Sequence, residues 1–435
     1  MRKELKIKLT NTSEFKIKLL IYGNKLDRFV LLDSNNFIPK NTQYTYYQYD
    51  FLAALGSAQE ISAGENSGFE KFKQFNNENP DWRFGYLTYD LKNDTENLTS
   101  GNIDELNLAA LHFFVPEIVL TVKKGWLTCS YLESKNTEME MANFIDDVNN
   151  TELPDTKKHN TSLQFKQRFE KPDYIKTVNK LKEHIQLGDI YEINFCQEFY
   201  DYAEINPVKT ALLLREISPT PFACYYKLDN NFLLSASPER FLKKINNKVI
   251  SQPIKGTVRR NTDQTKDEEL KVQLHNDPKE RAENVMIVDL VRNDLSRTAK
   301  RGTVKVEELY GIYSFSQVHQ MISTVVSEVD PKTDITDIIK NAYPMGSMTG
   351  APKVRAMQLI EKYEKSKRGL YSGTVGYITP NNDFDFNVVI RSILYNQLKN
   401  YVSFTVGGAI TSLSDPDKEY EECMVKAEAM LKAFS

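Results

Sequence analysis

The sequence predicts a mixed α/β protein in which antiparallel strands and helices are interspersed along one chain. Three observations lead there. Short β-type runs between residues 222 and 254 follow one another at hairpin spacing, and helical periodicities recur between and after such runs. The 435 residues are 40% hydrophobic, 11% aromatic and 26% charged, a composition that can build a large core. The length approaches three ordinary domains, but large sheet-rich enzymes reach it as one body, so domain count stays open.

In chain order, residues 83–89 alternate as a strand, 118–131 read as a hairpin, and 139–148 carry a helical pattern. Residues 149–162, NNTELPDTKKHNTS, hold one leucine in fourteen positions and read as a linker. That places an N-terminal subdomain over 1–148 and a second region over 163–435. In 173–187, Val178, Leu181 and Ile185 are spaced for one helix face, with Gly188 where a C-terminal cap belongs. Residues 191–199 then alternate as a strand. Phe222–Leu228, 232–236, 241–245 and 249–254 follow as short strands, with Asn246-Asn247 suited to a two-residue turn. Helices are expected over 263–274, 278–294, Ile335–Ala342, 351–363 and 417–434. Strands are expected over 371–378, 386–395 and 402–406.

Charge and cysteine usage narrow the function. With 56 Lys+Arg against 59 Asp+Glu the net charge is −3, so no basic field exists to hold nucleic acid or an anionic membrane. The four cysteines form no C-x-x-C pair, which suits neither zinc nor a disulfide framework and fits a reduced cytoplasm. Charges interrupt the N-terminal apolar runs, and no segment nears the roughly 18 apolar residues of a membrane span. A soluble protein acting on a small molecule is the expectation.

Four segments hold more polar and glycine residues than structure alone requires. Lys255 lies between Ile254 and Gly256 at a strand end, where burial would favour the nucleophilic amine; strand-end lysines also commonly reach out to solvent. In 276–294, Asp277 caps a helix that starts at Pro278, which puts Glu280 and Glu283 on one face. Such a pair either holds a hard cation or simply suits the helix dipole. Asp289 interrupts an apolar run there and is expected to be buried with Arg292 or a neighbour. In the C-terminal helix Glu419, Glu422 and Lys426 share a face, as a solvated ion pair or as a second source of oxygen ligands. Finally, Gly346-Ser-Met-Thr-Gly-Ala-Pro-Lys353 lacks the order of a nucleotide-binding loop. The amides of Gly407 and Gly408, expected just after a strand, could still bind carboxylates, with Arg391 as a bidentate partner.

Read together and in order, GDIYEINFCQEF, SASPERF, PIKGT, DPKERAENVMIVDLVRND, GSMTGAPKVRAM, RGLYSGTVGY, VVIRSI and DPDKEYEECMVKAEAML resemble the chorismate-utilising enzymes over residues 174–435. The resemblance implies two large antiparallel sheets packed together with helices outside, a four-layer α/β/β/α body. Members of this family that make anthranilate resemble P-I-A-G-T, whereas those that make 4-amino-4-deoxychorismate commonly carry lysine in that place, here Lys255. The resemblance therefore implies that Lys255 attacks C2 of chorismate, that Glu239 protonates the departing C4 hydroxyl, and that ammonia then displaces the lysine by adding at C4.

The same resemblance implies Mg²⁺ bound by Glu283 and Glu422, with Glu280 and Glu419 close by. Thr349, Tyr371, Arg391, Gly407, Gly408 and Lys426 would receive the remaining groups of chorismate. Related anthranilate synthases place a histidine where Gln320 aligns, so His319 is a doubtful site residue and an anthranilate product is disfavoured. No cysteine sits in an amidotransferase elbow, which implies ammonia supplied by a separate glutamine amidotransferase subunit. Anthranilate or isochorismate formation, and a non-catalytic chorismate-binding subunit, are the competing readings.

Overall fold

The computed structural model describes residues 1–37, 46–154 and 163–434, so most of the expected linker, residues 155–162, lies outside the described residues. Among the described residues two large antiparallel sheets dominate, one of twelve strands and one of ten. The first runs through Arg28–Asp33, Phe222–Leu228, Asn231–Ser237, Ser392–Asn396, Tyr401–Ile410 and Glu192–Tyr202 at its centre. The second includes Ile254–Arg259, Val318–Glu328, Arg240–Ile245, Thr374–Ile378, Arg83–Leu87 and Leu111–Val115. Both sheets contain strands from either side of the 149–162 segment.

Period-two alternation explains the layering. In Arg28–Asp33, Phe29 and Leu31 enter one buried cluster with the helices Lys171–Gln186 and Pro416–Leu431, while Val30 faces the other way. Val30, Leu52 and Tyr226 of the first sheet meet Phe84, Phe114 and Tyr377 of the second in a core between the sheets. On the far face of the second sheet, Phe113 and Phe386 pack against the helices Gly68–Glu78, Pro278–Ser296 and Ile335–Ala342. Helix, sheet, sheet and helix thus form four layers, the architecture implied by the resemblance.

Several local expectations need correction. The apolar pattern over 386–395 is two strands, Phe384–Asn387 in the second sheet and Ser392–Asn396 in the first. The chain crosses between sheets there, and Arg391 takes a positive φ of 51° at the crossing. Gly407 and Gly408 lie inside the strand Tyr401–Ile410, which runs on past the expected end at 406 because it pairs with Glu192–Tyr202 along its whole length. Asp289 is exposed with Arg292 in a surface pair at 2.7 Å, since its helix turns that face to solvent. The buried acid of this helix is Asp294, held by Lys353 at 2.6 Å. Three helices that alternation and spacing had not suggested, Thr12–Gly23, Gly68–Glu78 and Pro207–Ile217, complete the outer layers.

Candidate active site

Lys255 is presented by a backbone irregularity. Ile254 pairs with Ile322 and Thr257 with Gln320, so three steps on one strand oppose two on the other and Lys255-Gly256 bulges out. Gly256 has φ +95°, and a Cβ there would lie 3.1 Å from Glu280 Oε2. The bulge turns Lys255 inward, where its side chain is 11% exposed and donates to Glu192 Oε1 at 2.7 Å.

Glu192 begins the strand Glu192–Tyr202 and pairs with Ala351 of the Gly350-Ala351 bridge. Gly350 has φ +147°, and a Cβ there would lie only 2.2 Å from the Glu192 carbonyl oxygen, which leaves no room for a side chain. Gly350→Ala is expected to destabilise the protein by about 1–3 kcal/mol and to displace Thr349 and Glu192 together. Chemical denaturation checks this, and an unchanged midpoint would contradict it.

Glu239 follows the strand Asn231–Ser237, is 4% exposed and accepts from the Ser347 hydroxyl at 2.7 Å. Burial pushes its carboxyl up to about 7, although Ser347, Lys255 and Arg391 pull the other way. The buried acid is thus held near the point where it can give up a proton at neutral pH.

Lys255 differs from the sequence expectation. Burial does favour its neutral amine, but the Glu192 carboxylate, aided by Glu283 and Glu239, outweighs burial and raises the lysine above its ordinary value. The resting side chain is an ammonium. Local sequence suggested only the burial; the opposing carboxylate arrives from a distant strand.

Arg391 supplies a second cation within the electrostatic reach of Glu239. Among the described residues nothing accepts a hydrogen bond from its guanidinium, so the fork is available to an anion. Ser392–Asn396 ends its pairing with Tyr401–Ile410 at Phe404, so among the described residues the edge of that strand through Gly407 and Gly408 faces no strand on that side. A Cβ at Gly407 would lie 2.3 Å from Cys196 Sγ, and one at Gly408 3.3 Å from Glu419 Oε2. Lys426 donates to the Gly407 carbonyl at 2.8 Å and pairs with Glu422 at 2.7 Å. Thr349 and Tyr371 are buried; the Thr349 hydroxyl turns back to the carbonyls of Met345 and Gly346, and the Tyr371 hydroxyl accepts from Cys196 Sγ.

The four glutamates occupy two helices. Burial, with the neighbouring Glu192 and Glu280 and against Lys255, pushes Glu283 up to about 7, and burial also raises Glu280 and Glu419. Glu422 is more than half exposed, and Lys426 holds it below the ordinary range against the effect of its partial burial. Among the described residues no three metal-ligating side chains converge, so the protein alone makes no closed cage. Glu280, Glu283 and Glu419, raised by burial and neighbouring carboxylates, together with Glu422 nevertheless suit Mg²⁺, which takes one or two protein carboxylates and fills its shell with water and ligand oxygens.

Lys255 is the hub: Glu192, Glu239, Glu280, Glu283 and Glu422 are all electrostatically linked to it. His319 stands apart, bonded to Asp267 at 2.9 Å and Ser314 at 2.9 Å. Sequence reasoning did not single out Glu192 or Ser347, although both lie in the motifs quoted above. An acid inside the apolar strand pattern of YEINF was the available signal for Glu192. A cavity of about 340 Å³ lined by Asp90, Leu106, Lys367 and Arg368 contains none of these groups. Its Arg368 instead buttresses the site, donating to the carbonyls of Met348 and Asn194.

A lysine ringed by acids, a buried carboxyl poised to give up its proton near neutral pH and a free guanidinium, set in a four-layer α/β/β/α frame, define an enzyme that activates a small anionic substrate. The chain belongs to the chorismate binding enzyme family, whose pattern matches residues 34–432. It is 32% identical over 371 residues to aminodeoxychorismate synthase component 1 of Bacillus subtilis, covering 82% of this chain and 78% of that protein. It is also 32% identical over 364 residues to anthranilate synthase component 1 of Aquifex aeolicus, covering 80% and 73%. The fold matches the crystal structure of anthranilate synthase component I from Streptococcus pneumoniae with a TM-score of 0.77 at 24% identity, over 91% of this chain and 95% of that one. The protein is therefore a chorismate-utilising enzyme. Among the described residues no helix is long and apolar enough to cross a membrane.

Proposed function

We propose that the enzyme converts chorismate and ammonia to 4-amino-4-deoxychorismate through a covalent Lys255 intermediate. The observation that carries this reading is the lysine of the PIKGT segment, turned inward by its bulge within the electrostatic reach of the buried acid Glu239. The Lys255 amine bonds to ring C2, the ring double bonds shift, and the C4–O bond breaks as Glu239 gives its proton to the leaving hydroxyl, releasing water. Ammonia then bonds to C4, the double bonds shift back, and the C2–N bond breaks with its electron pair returning to Nζ. The proton shed by the new C4 ammonium restores Glu239.

Arg391 and the backbone of Gly407 and Gly408 are assigned to the substrate's carboxylates, with Thr349, Tyr371 and Lys426 completing the walls. Glu283 and Glu422 would hold Mg²⁺, with Glu280 and Glu419 beside them; the ion would screen the ring carboxylate. Glu283→Gln or Glu422→Gln is expected to raise the Mg²⁺ requirement about tenfold or more. Magnesium titration of turnover checks this, and an unchanged requirement would refute the assignment.

Ammonia is proposed to come from a separate glutaminase subunit in the cytoplasm. All four thiols are buried, and burial raises each of them, Cys423 to about 11 and Cys129 and Cys196 to about 12, so none is poised to attack glutamine. Anthranilate formation is the second reading, favoured by the equal identity to an anthranilate synthase component 1. Lys255, and the engagement of His319 by Asp267 and Ser314, weigh against it. Chromatography and mass spectrometry of the product from chorismate, Mg²⁺ and an ammonium salt test the proposal. A product that keeps the enolpyruvyl group and gains nitrogen at C4 supports it; anthranilate or isochorismate overturns it.

A further inference from the structure

The lysine chemistry leaves one proton unassigned. An ammonium has no electron pair to form a bond, so Nζ must lose a proton before or as it attacks C2. We infer that Glu192 is the proton acceptor for Lys255 and the group that holds its nitrogen in place, a role that rests on the covalent reading above.

The geometry favours this acid over its neighbours. Glu192 Oε1 lies 2.7 Å from Nζ, whereas no hydrogen bond or ion pair joins Lys255 to Glu239, Glu280, Glu283 or Glu422 among the described residues. Glu239 is already committed to Ser347 and to the leaving hydroxyl. Glu192 is 1% exposed, so water does not compete for the proton, and among the described residues its second oxygen, Oε2, has no hydrogen-bond partner. The backbone of Glu192 is fixed by pairing with Ala351 and by the close approach of Gly350. Tyr191 donates to Ala351 O at 2.7 Å and Asn194 to Thr349 O at 2.8 Å, so the strand cannot slide to release the acid.

The proton count closes. Lys255 passes one proton to Glu192 and its freed electron pair forms the C2–N bond, giving a secondary ammonium. When ammonia adds at C4 and the C2–N bond breaks, Nζ leaves as a neutral amine. Glu192 then returns the proton, and the pair is again ammonium and carboxylate. Glu192 acts through Lys255 and is a positioning and proton-accepting residue; it need not touch the substrate.

The test follows Lys255 adduct formation in the full-length protein by rapid quench and peptide mass spectrometry, with chorismate and Mg²⁺ but no ammonia. Wild type, Glu192→Gln and Glu192→Asp are compared between about pH 6 and about pH 9. Glu192→Gln is expected to form the adduct about 100-fold more slowly near neutral pH, with the ratio to wild type shrinking as pH rises and solvent base removes the proton. Taking the ratio cancels the Glu239 titration, which both proteins share. Glu192→Asp should recover part of the rate, and it carries the comparison if the glutamine variant does not fold. A glutamine variant as fast as or faster than wild type overturns the inference, as does a loss that is equal at every pH without rescue by aspartate. Either result leaves the covalent reading intact provided that wild type forms the adduct; a wild type that turns over chorismate with no adduct removes both.

Discussion

Lys255→Arg is expected to abolish formation of 4-amino-4-deoxychorismate, lowering kcat/KM by at least about 10³-fold, or about 4 kcal/mol of transition-state stabilisation. Arginine is the informative replacement because it keeps the positive charge opposite Glu192 while its guanidinium cannot be deprotonated to attack carbon. Lys255→Ala should lose as much activity but also leave Glu192 buried without a counter-charge, at a stability cost of roughly 3–5 kcal/mol. The two variants separate chemistry from folding. Full activity in the arginine variant, or in a folded alanine variant, would remove Lys255 from the mechanism.

Glu239→Gln should lower kcat by about 10²–10⁴-fold with little change in stability, since glutamine still accepts from Ser347 and brings no charge into a buried place. Its pH dependence has a definite sign. A carboxyl held at about 7 is protonated below that pH and ionised above it. The acid form is the competent one, so wild-type turnover should decline as pH rises through about 7, and the glutamine variant should lack that limb. A wild-type rate that increases through neutrality would mean that Glu239 works in its ionised form.

How far the sequence carried depends on how local each cause is. The strands between 222 and 252 were legible because their faces alternate and Asn246, at φ 53°, makes the turn between Arg240–Ile245 and Lys248–Gln252. The helix from Pro278 was legible because Asp277 caps it, accepting from the amides of Lys279 and Glu280. The crossing at Arg391 was not, because an apolar run reads alike whether it serves one sheet or two. The charged state of Lys255 was not either: burial can be read from neighbours in sequence, but Glu192 lies 63 positions away and meets the lysine only when the bulge and the Gly350 contact are both formed. Ser347, 108 positions from Glu239, escaped for the same reason. The candidate chemistry was thus visible as residue types in motifs, and its proton balance only as geometry.

The central claim is that Lys255 bonds to the ring. Wild-type protein mixed with chorismate and Mg²⁺ in the absence of ammonia, quenched and digested, tests it most directly. The peptide containing Lys255 is expected to gain the mass of chorismate less water, and ammonium added before the quench is expected to discharge it as the amino product. An unmodified Lys255 peptide under conditions where ammonium supports turnover would contradict it.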